Sequence, residues 1–327
     1  MRVYKHEMEE DKMMKQRVYG VMGISSIMAN WNADFSGYPK ITSKGEIFGS
    51  DKAFKYPMKK MWDESGEKVL YIKSMTTVTD KKNTVNVVPK TLLQRYGQLF
   101  DSEDVTDAEK VLTNLFSAID VKNFGATFAE KGCNIAITGA VQFGQGFNKY
   151  AGSAPQEQQI LSPFRDATAS QKTKDGEEAK NSSLGTKIVS DEAHYFYPFS
   201  INPKAYNEYI KLGVTQGYTQ EDYQKFKETV LCAATSFATN AKAGCENEFG
   251  LFIETQEDVY LPNLDTYIQF EHSDKEKNII RVNCGNLLQA FATRINAVEI
   301  YYNPFTTKVE TDISDVKMYH IFTRKEL

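Results

Sequence analysis

The order of hydrophobic runs along these 327 residues predicts an α+β fold. Runs rich in Val, Ile, Tyr and Phe alternate with stretches of helical periodicity in the sequence strand, helix, strand, strand, helix, strand. The composition, 41% hydrophobic and 25% charged, is that of a globular chain with a sizeable core. One stretch, residues 150–192, holds too few apolar side chains for a core of its own and predicts a projecting arm or a disordered segment. This order is that of a split βαβ unit, a ferredoxin-like or RRM-type arrangement with insertions between its elements.

Residues 1–16 read as an extension, because the first strand-like run is Arg17 to Ile24 and the domain is expected over 17–327. A polar loop from Ser25 to Gly49 follows, much longer than a usual connection. Ser50 can cap a helix reaching Asp63. At about 100° per residue, Phe54, Met58 and Met61 share one of its faces while Lys52, Lys55 and Lys59 lie opposite. Val69 to Lys73 predicts a strand and Met75 to Val88 a hairpin around Asp80 to Asn83. Helices are expected over Thr91 to Phe100 and Thr106 to Ile119, the second with a capping box from Thr106 to Glu109. Cys133 to Phe143 predicts a buried strand that breaks into a polar turn at Gly144 to Lys149. Further strands are expected at His194 to Ile201, Phe249 to Thr255, Ala297 to Asn303 and Val316 to Thr323. Helices are expected at Thr219 to Ala238 and near Leu287 to Ile295.

The formal net charge of −4 excludes a uniformly basic nucleic-acid binder, so any polyanion must be held by a local patch. No apolar run is long enough to cross a membrane, and the acidic start lacks an apolar signal core; a cytoplasmic protein without membrane contact is expected. Cys133, Cys232, Cys245 and Cys284 form no CxxC pair and have no His at zinc-ligand spacing, which predicts reduced thiols and no metal.

The densest positive patch is Lys40, Lys44, Lys52, Lys55, Lys59 and Lys60, six lysines against Glu46 and Asp51. Lysines on one helical face can place charges along a polyanion, and Ser25, Ser26, Asn30 and Asn32 can add neutral donors. On spacing alone the same stripe also fits the solvated face of an amphipathic helix. Gly144-Gln-Gly lacks the Lys-Ser/Thr ending of a P-loop and the full GxGxxG pattern. Asp34, His194, Glu246 and Glu248 are candidate catalytic groups, yet no HExxH or GxSxG signature joins them. Trp31, Phe147, Phe164, Tyr195 and Tyr197 are candidates for stacking on bases or for the core.

Several segments resemble one family. They are Gly23 to Asp34 (GISSIMANWNAD), Phe48 to Pro57 (FGSDKAFKYP), Asp120 to Ala129 (DVKNFGATFA), Ile137 to Phe143 (ITGAVQF) and His194 to Ser200 (HYFYPFS). In that order they are similar to the backbone subunit of the type I-B CRISPR Cascade effector, in the repeat-associated mysterious protein superfamily. The resemblance implies an RRM-like palm, an inserted finger-like region at about 74–118 and a thumb hairpin at about 150–192.

The resemblance also implies non-catalytic copies polymerised along CRISPR RNA as a helical filament, with target DNA pairing to the guide. Its implied partners are neighbouring copies, a repeat-handle-capping subunit, a repeat-processing endonuclease, a large subunit and, indirectly, a helicase-nuclease; no cofactor is implied. RNA contacts are expected at Ser25, Ser26, Asn30, Trp31, Asn32, Lys52, Lys55, Lys59, Gln142, Gly144, Gln145, Phe147, Lys149, Arg165, Lys187 and His194. Leu161 or Phe164 is expected as an apolar wedge between bases. The chain departs from the family's Asn-Pro-Asn-Gly-Asp loop at Asn30-Trp-Asn-Ala-Asp34 and has no glycine after Gly285. Asp34 keeps open the alternative of a metal-dependent RNA-cleaving subunit of type III character, and a stand-alone RNA-binding protein is the other alternative.

Overall fold

A computed structural model describes residues 13–161 and 184–327. The first strand, β1 (Arg17–Ala29), runs well past Ile24 and occupies the middle of the main sheet. β2 (Phe48–Gly49) leads into α1 (Asp51–Glu64), where Ser50 Oγ accepts the Ala53 amide as the sequence predicts. The predicted hairpin forms as β3 (Met75–Thr79) and β4 (Val85–Pro89). Next come α2 (Leu92–Phe100), with a capping box between Thr91 and Gln94, α3 (Ala108–Ser117) and α4 (Ile119–Phe124). Asp107, not Thr106, caps α3, because its carboxylate reaches two amides where the Thr106 hydroxyl turns back to Asp104.

Val69 to Lys73 is not a strand: the amides of Leu70 and Tyr71 bond the carboxylate of Asp120, at 2.8 Å each, instead of a neighbouring strand. The run from Cys133 to Phe143 is split by Gly139. Its first half, β6 (Cys133–Thr138), forms a hairpin with β5 (Gly125–Glu130), and its second is β7 (Val141–Phe143). The expected turn at 144–149 contains β8 (Gly146–Asn148). Within the expected arm, β9 (Pro155–Leu161) pairs antiparallel with the first part of β10 (Leu184–Ile201).

The long helix predicted to reach Ala238 breaks after Leu231 into α5 (Gln220–Val230) and a short α6 (Ala233–Ser236). Then come β11 (Cys245–Thr255), β12 (Ile268–Glu271), β13 (Asn278–Val282), α7 (Gly285–Gln289), β14 (Ile295–Tyr302), β15 (Thr307–Thr311) and β16 (Lys317–His320). The extension is shorter than expected: Met14 is buried and its amide bonds the Tyr218 carbonyl at 3.0 Å.

The main sheet has the order β16-β14-β11-β1-β10-β8-β2, with β7 and β9 also on β10. Its central strands are antiparallel in the order β11-β1-β10-β8. The expected strand at Val69 to Lys73 has no place in this order: β1 is flanked by β11 and by β10, which contains His194 to Ile201, and β7 and β8 pair with the far side of β10.

Both faces of the sheet are covered. On one, Val18, Met22, Tyr195, Tyr197 and Phe199 pack with Phe54 and Met58 of α1 and Phe226 of α5. On the other, Tyr19, Val21, Phe196, Phe249 and Leu251 pack with Ile280 and Val282 of the small sheet β12-β13-β15. Burying a side chain of this size contributes about 1.5 to 3 kcal/mol, so both layers matter to stability. Aromatics at the centre of this sheet are therefore core, not an open platform for bases.

Candidate nucleic-acid interface

The amphipathic pattern of α1 buries Phe54, Met58 and Trp62, leaves Lys52 exposed and half-buries Lys55 and Lys59. Lys52, Lys55, Tyr56 and Lys59 line a groove of about 560 Å³ together with Tyr71, Phe124 and residues of the β5–β6 hairpin. The lysines are not equivalent. Lys52 is exposed, whereas Lys55 Nζ lies 2.9 Å from Asp51 and 5.3 Å from the centre of the Phe124 ring. Lys59 Nζ lies 3.6 Å from Asp120 and 3.4 Å from the Tyr71 carbonyl. Burial pulls the Lys59 ammonium below its ordinary value, with the Asp120 carboxylate opposing that shift. Asp120 is fully buried, so it fixes Lys59 and the 69–71 segment at once.

Three cations beside aromatic rings suit a phosphodiester strand, whose phosphates meet the ammonium groups while its bases meet the rings. Tyr56, Tyr71, Phe124 and Asp120 were not singled out from sequence. Tyr56 does lie inside the quoted segment 48–57, and Asp120 and Phe124 inside 120–129, but only the packing of α4 against α1 brings them together.

The loop after β1 is mostly spent on structure. Ser26, Asn30 and Trp31 are buried; Ser26 Oγ bonds the Ala29 carbonyl, and Asn30 Nδ2 bonds the carbonyls of Gly37 and Ile188. Trp31 Nε1 donates to Tyr197 Oη at 2.6 Å, and Lys242 Nζ bonds the carbonyls of Asn30 and Trp31. A side chain at Gly49 would come within 1.8 Å of Tyr197 Oη, so only glycine lets β2 approach this pair. Ser25 is half-buried, and Asn32 Oδ1 accepts the Ser50 amide at 2.8 Å beside the start of α1. Asp34 is exposed, but its Oδ1 already accepts the Ser36 amide and hydroxyl and the Tyr38 amide. The Ser36 hydroxyl, ahead of the amide bonds, holds this carboxyl below its usual range.

The remaining predicted positions are scattered. Gln142 and Gly144 line a separate cleft with Tyr19 and Leu261, Gln145 is exposed, and Phe147 is partly exposed with its ring 6.2 Å from that of Phe48. Lys149 Nζ is held 3.0 Å from Asp265. Lys187 is half-buried on β10 opposite Gln158. Leu161 ends β9, and Phe164 and Arg165 lie outside the described residues.

His194 is placed inside, not at a surface: it is 2% exposed and stacks on Phe270 with ring centres 4.0 Å apart. Its Nδ1 meets Glu248 at 2.8 Å and its Nε2 meets Glu192 at 2.8 Å. Burial disfavours its charge, but the two carboxylates outweigh that and raise its affinity for a proton. Among the described residues, no three His, Cys, Asp or Glu side chains are grouped to hold a metal ion.

A sequence profile, "CRISPR-associated protein Cas7", matches residues 16–284. The chain belongs to this family. The Cas7 match spans β1 to β13 and includes α1, the β5–β6 hairpin and the whole groove between them. Among solved structures, this Cas7 chain is similar to a chain of a "CRISPR RNA-guided surveillance complex, pre-nicking". The TM-score is 0.52 at 12% identity, over 91% of this chain and 96% of that one. A chain of a "CRISPR RNA-guided surveillance complex" aligns at a TM-score of 0.44 and 12% identity, over 90% of this chain and 95% of that one. The first of these shows a shared fold. No curated protein sequence matches the chain.

Proposed function

We propose that the chain is a non-catalytic CRISPR RNA-binding backbone subunit of a type I-B Cascade effector, polymerising along the guide and presenting it to target DNA. The observation that carries this reading is the groove of Lys52, Lys55 and Lys59 beside Tyr56, Tyr71 and Phe124, in a chain of the Cas7 family. In this reading the β11-β1-β10-β8 sheet with α1 and α5 is an RRM-like palm. The β3–β4 hairpin with α2 and α3 is the finger-like region, and the β9–β10 hairpin is the thumb that reaches over a neighbouring copy.

Neighbouring copies, the repeat-handle-capping subunit, the repeat-processing endonuclease and the large subunit would then be direct partners, and the helicase-nuclease an indirect one. Lysine-to-phosphate contacts carry no base information, so the spacer part of the guide should be bound without sequence preference. The test is a mobility-shift titration with a CRISPR RNA and with the same RNA carrying a scrambled spacer. Equal affinities support the reading, and a strong preference for one spacer contradicts it. Incubating the complex with labelled target RNA and Mg²⁺ tests the non-catalytic part: cleavage lost in Asp34→Ala would establish the type III alternative instead.

A further inference from the structure

The β5–β6 hairpin closes through a two-residue connection, Lys131-Gly132, so Glu130 and Cys133 exchange both backbone bonds, and every second pair after them does the same. Thr127, opposite Ala136, falls on the alternate positions, whose N–H and C=O groups point away from the partner strand. Two side chains agree with that phase: the Tyr71 hydroxyl donates to the Thr127 carbonyl at 2.7 Å, and the Tyr209 hydroxyl donates to the Ala136 carbonyl at 3.2 Å. β5 pairs with β6 alone, and Thr127 is exposed. Its N–H therefore points out on the same side as the carbonyl that Tyr71 holds, with no partner among the described residues. Both Thr127 and Tyr71 line the lysine groove.

Donors and acceptors decide what this pair can bind. Burial, with the Asp120 carboxylate adding to it, pushes the Tyr71 hydroxyl up to about 12, so it keeps its proton and spends it on Thr127. The hydroxyl then offers only lone pairs, beside an amide that offers only a proton. A phosphate oxygen accepts without donating, so it suits the amide but faces the hydroxyl lone pairs with repulsion. A ribose 2′-hydroxyl both donates and accepts and satisfies the two at once, whereas deoxyribose satisfies neither. Lys59 Nζ lies 5.4 Å from the centre of the Tyr71 ring, so a phosphate held by that ammonium brings its own sugar to the same side chain. We infer that Tyr71 and the Thr127 peptide form a ribose-selective subsite of the groove, which prefers RNA to DNA through the 2′-hydroxyl. This rests on the nucleic-acid reading of the groove and adds a selectivity the lysines lack, since phosphates are the same in both polymers.

The experiment uses the full-length protein and single-stranded RNAs carrying one 2′-deoxynucleotide at a time, compared by competition anisotropy. In wild type the substitution should weaken binding about fivefold at discrete positions, the worth of one net hydrogen bond, and leave the other positions unchanged. Thr127→Pro deletes the amide without removing a ladder bond, and Tyr71→Phe deletes the lone pairs without touching the backbone. Each should bind the all-ribose RNA about fivefold more weakly and show no further loss at those positions. The salt slope should stay that of wild type, because no cation is removed. A uniform response to deoxy substitution in wild type, or a positional penalty that survives in Tyr71→Phe, overturns the inference while leaving the lysine groove intact. If wild type does not bind the RNAs at all, the nucleic-acid reading itself fails.

Discussion

Replacing Lys52 and Lys55 together with alanine is the sharpest perturbation of the groove. Both line it, neither is deeply buried, and neither is needed to hold a strand or helix in place. Lys59 is unsuitable, because its removal leaves the fully buried Asp120 carboxylate without its cation. A cation that neutralises one phosphate of a single strand contributes about −0.7 to the slope of log affinity against log salt. Lys52 and Lys55 together supply a slope of about −1.4, which alone weakens binding about 7-fold between 50 and 200 mM salt. The double variant should therefore have a slope shallower by about 1.4 than wild type. Fluorescence anisotropy of a labelled CRISPR RNA from 50 to 300 mM KCl gives both slopes. Because Asp51 competes for Lys55 at 2.9 Å, Asp51→Asn should tighten binding in the same assay. Equal slopes for wild type and the double variant would refute the phosphate role, whatever happened to the affinity.

The His194 pair with Glu248 and Glu192 contributes stability that is complete below the ordinary imidazole value near 6.5 and is lost as pH rises through the raised folded value. Urea melts from pH 6 to 9 should show that loss in wild type, whereas His194→Gln should be flatter and less stable by about 3 to 5 kcal/mol at pH 6. A wild type whose stability did not fall with rising pH would contradict this account. Trp31→Phe removes the donor to the buried Tyr197 hydroxyl and should cost about 1 to 3 kcal/mol in a denaturant titration; no loss would mean the bond has another acceptor or donor ready. Replacing residues 159–186 by a short Gly-Ser turn keeps the Gln158–Lys187 and lower pairs of the β9–β10 hairpin, so the melting temperature should change little. On the proposed function that variant should still bind RNA but fail to form multi-copy species by light scattering, and normal assembly would remove the thumb role.

Local signals in the chain were legible where one short stretch of sequence decides the outcome. The Ser50 cap, the lysine and apolar faces of α1 and the β3–β4 hairpin follow from neighbours within a few residues, whereas the capping box expected at Thr106 is replaced by the Asp107 cap and the box that forms, at Thr91, was not read from the sequence. Pairing across long separations was not legible. Val69 to Lys73 has strand composition, but a carboxylate 50 residues further on takes its amides. Strands β12, β13 and β15 are only four or five residues long, and their fit over the second face of the sheet is not visible in sequence.

The candidate site divides in the same way. Lys52, Lys55 and Lys59 could be read from helical spacing, whereas Tyr71 reaches the groove through its bond to Asp120 and Phe124 through the packing of α4 on α1. Trp31 and His194 are residue types that serve equally as ligand contacts and as core. Their partners Tyr197, Glu248 and Glu192 put both inside.

Assembly is the central claim, and size-exclusion chromatography with light scattering, followed by negative-stain microscopy with and without a CRISPR RNA, tests it most directly. The account predicts a single copy without RNA and, with RNA, a ladder of larger species seen as arcs or helical filaments. A one-to-one complex that stays one-to-one even with the co-expressed operon proteins present would contradict it.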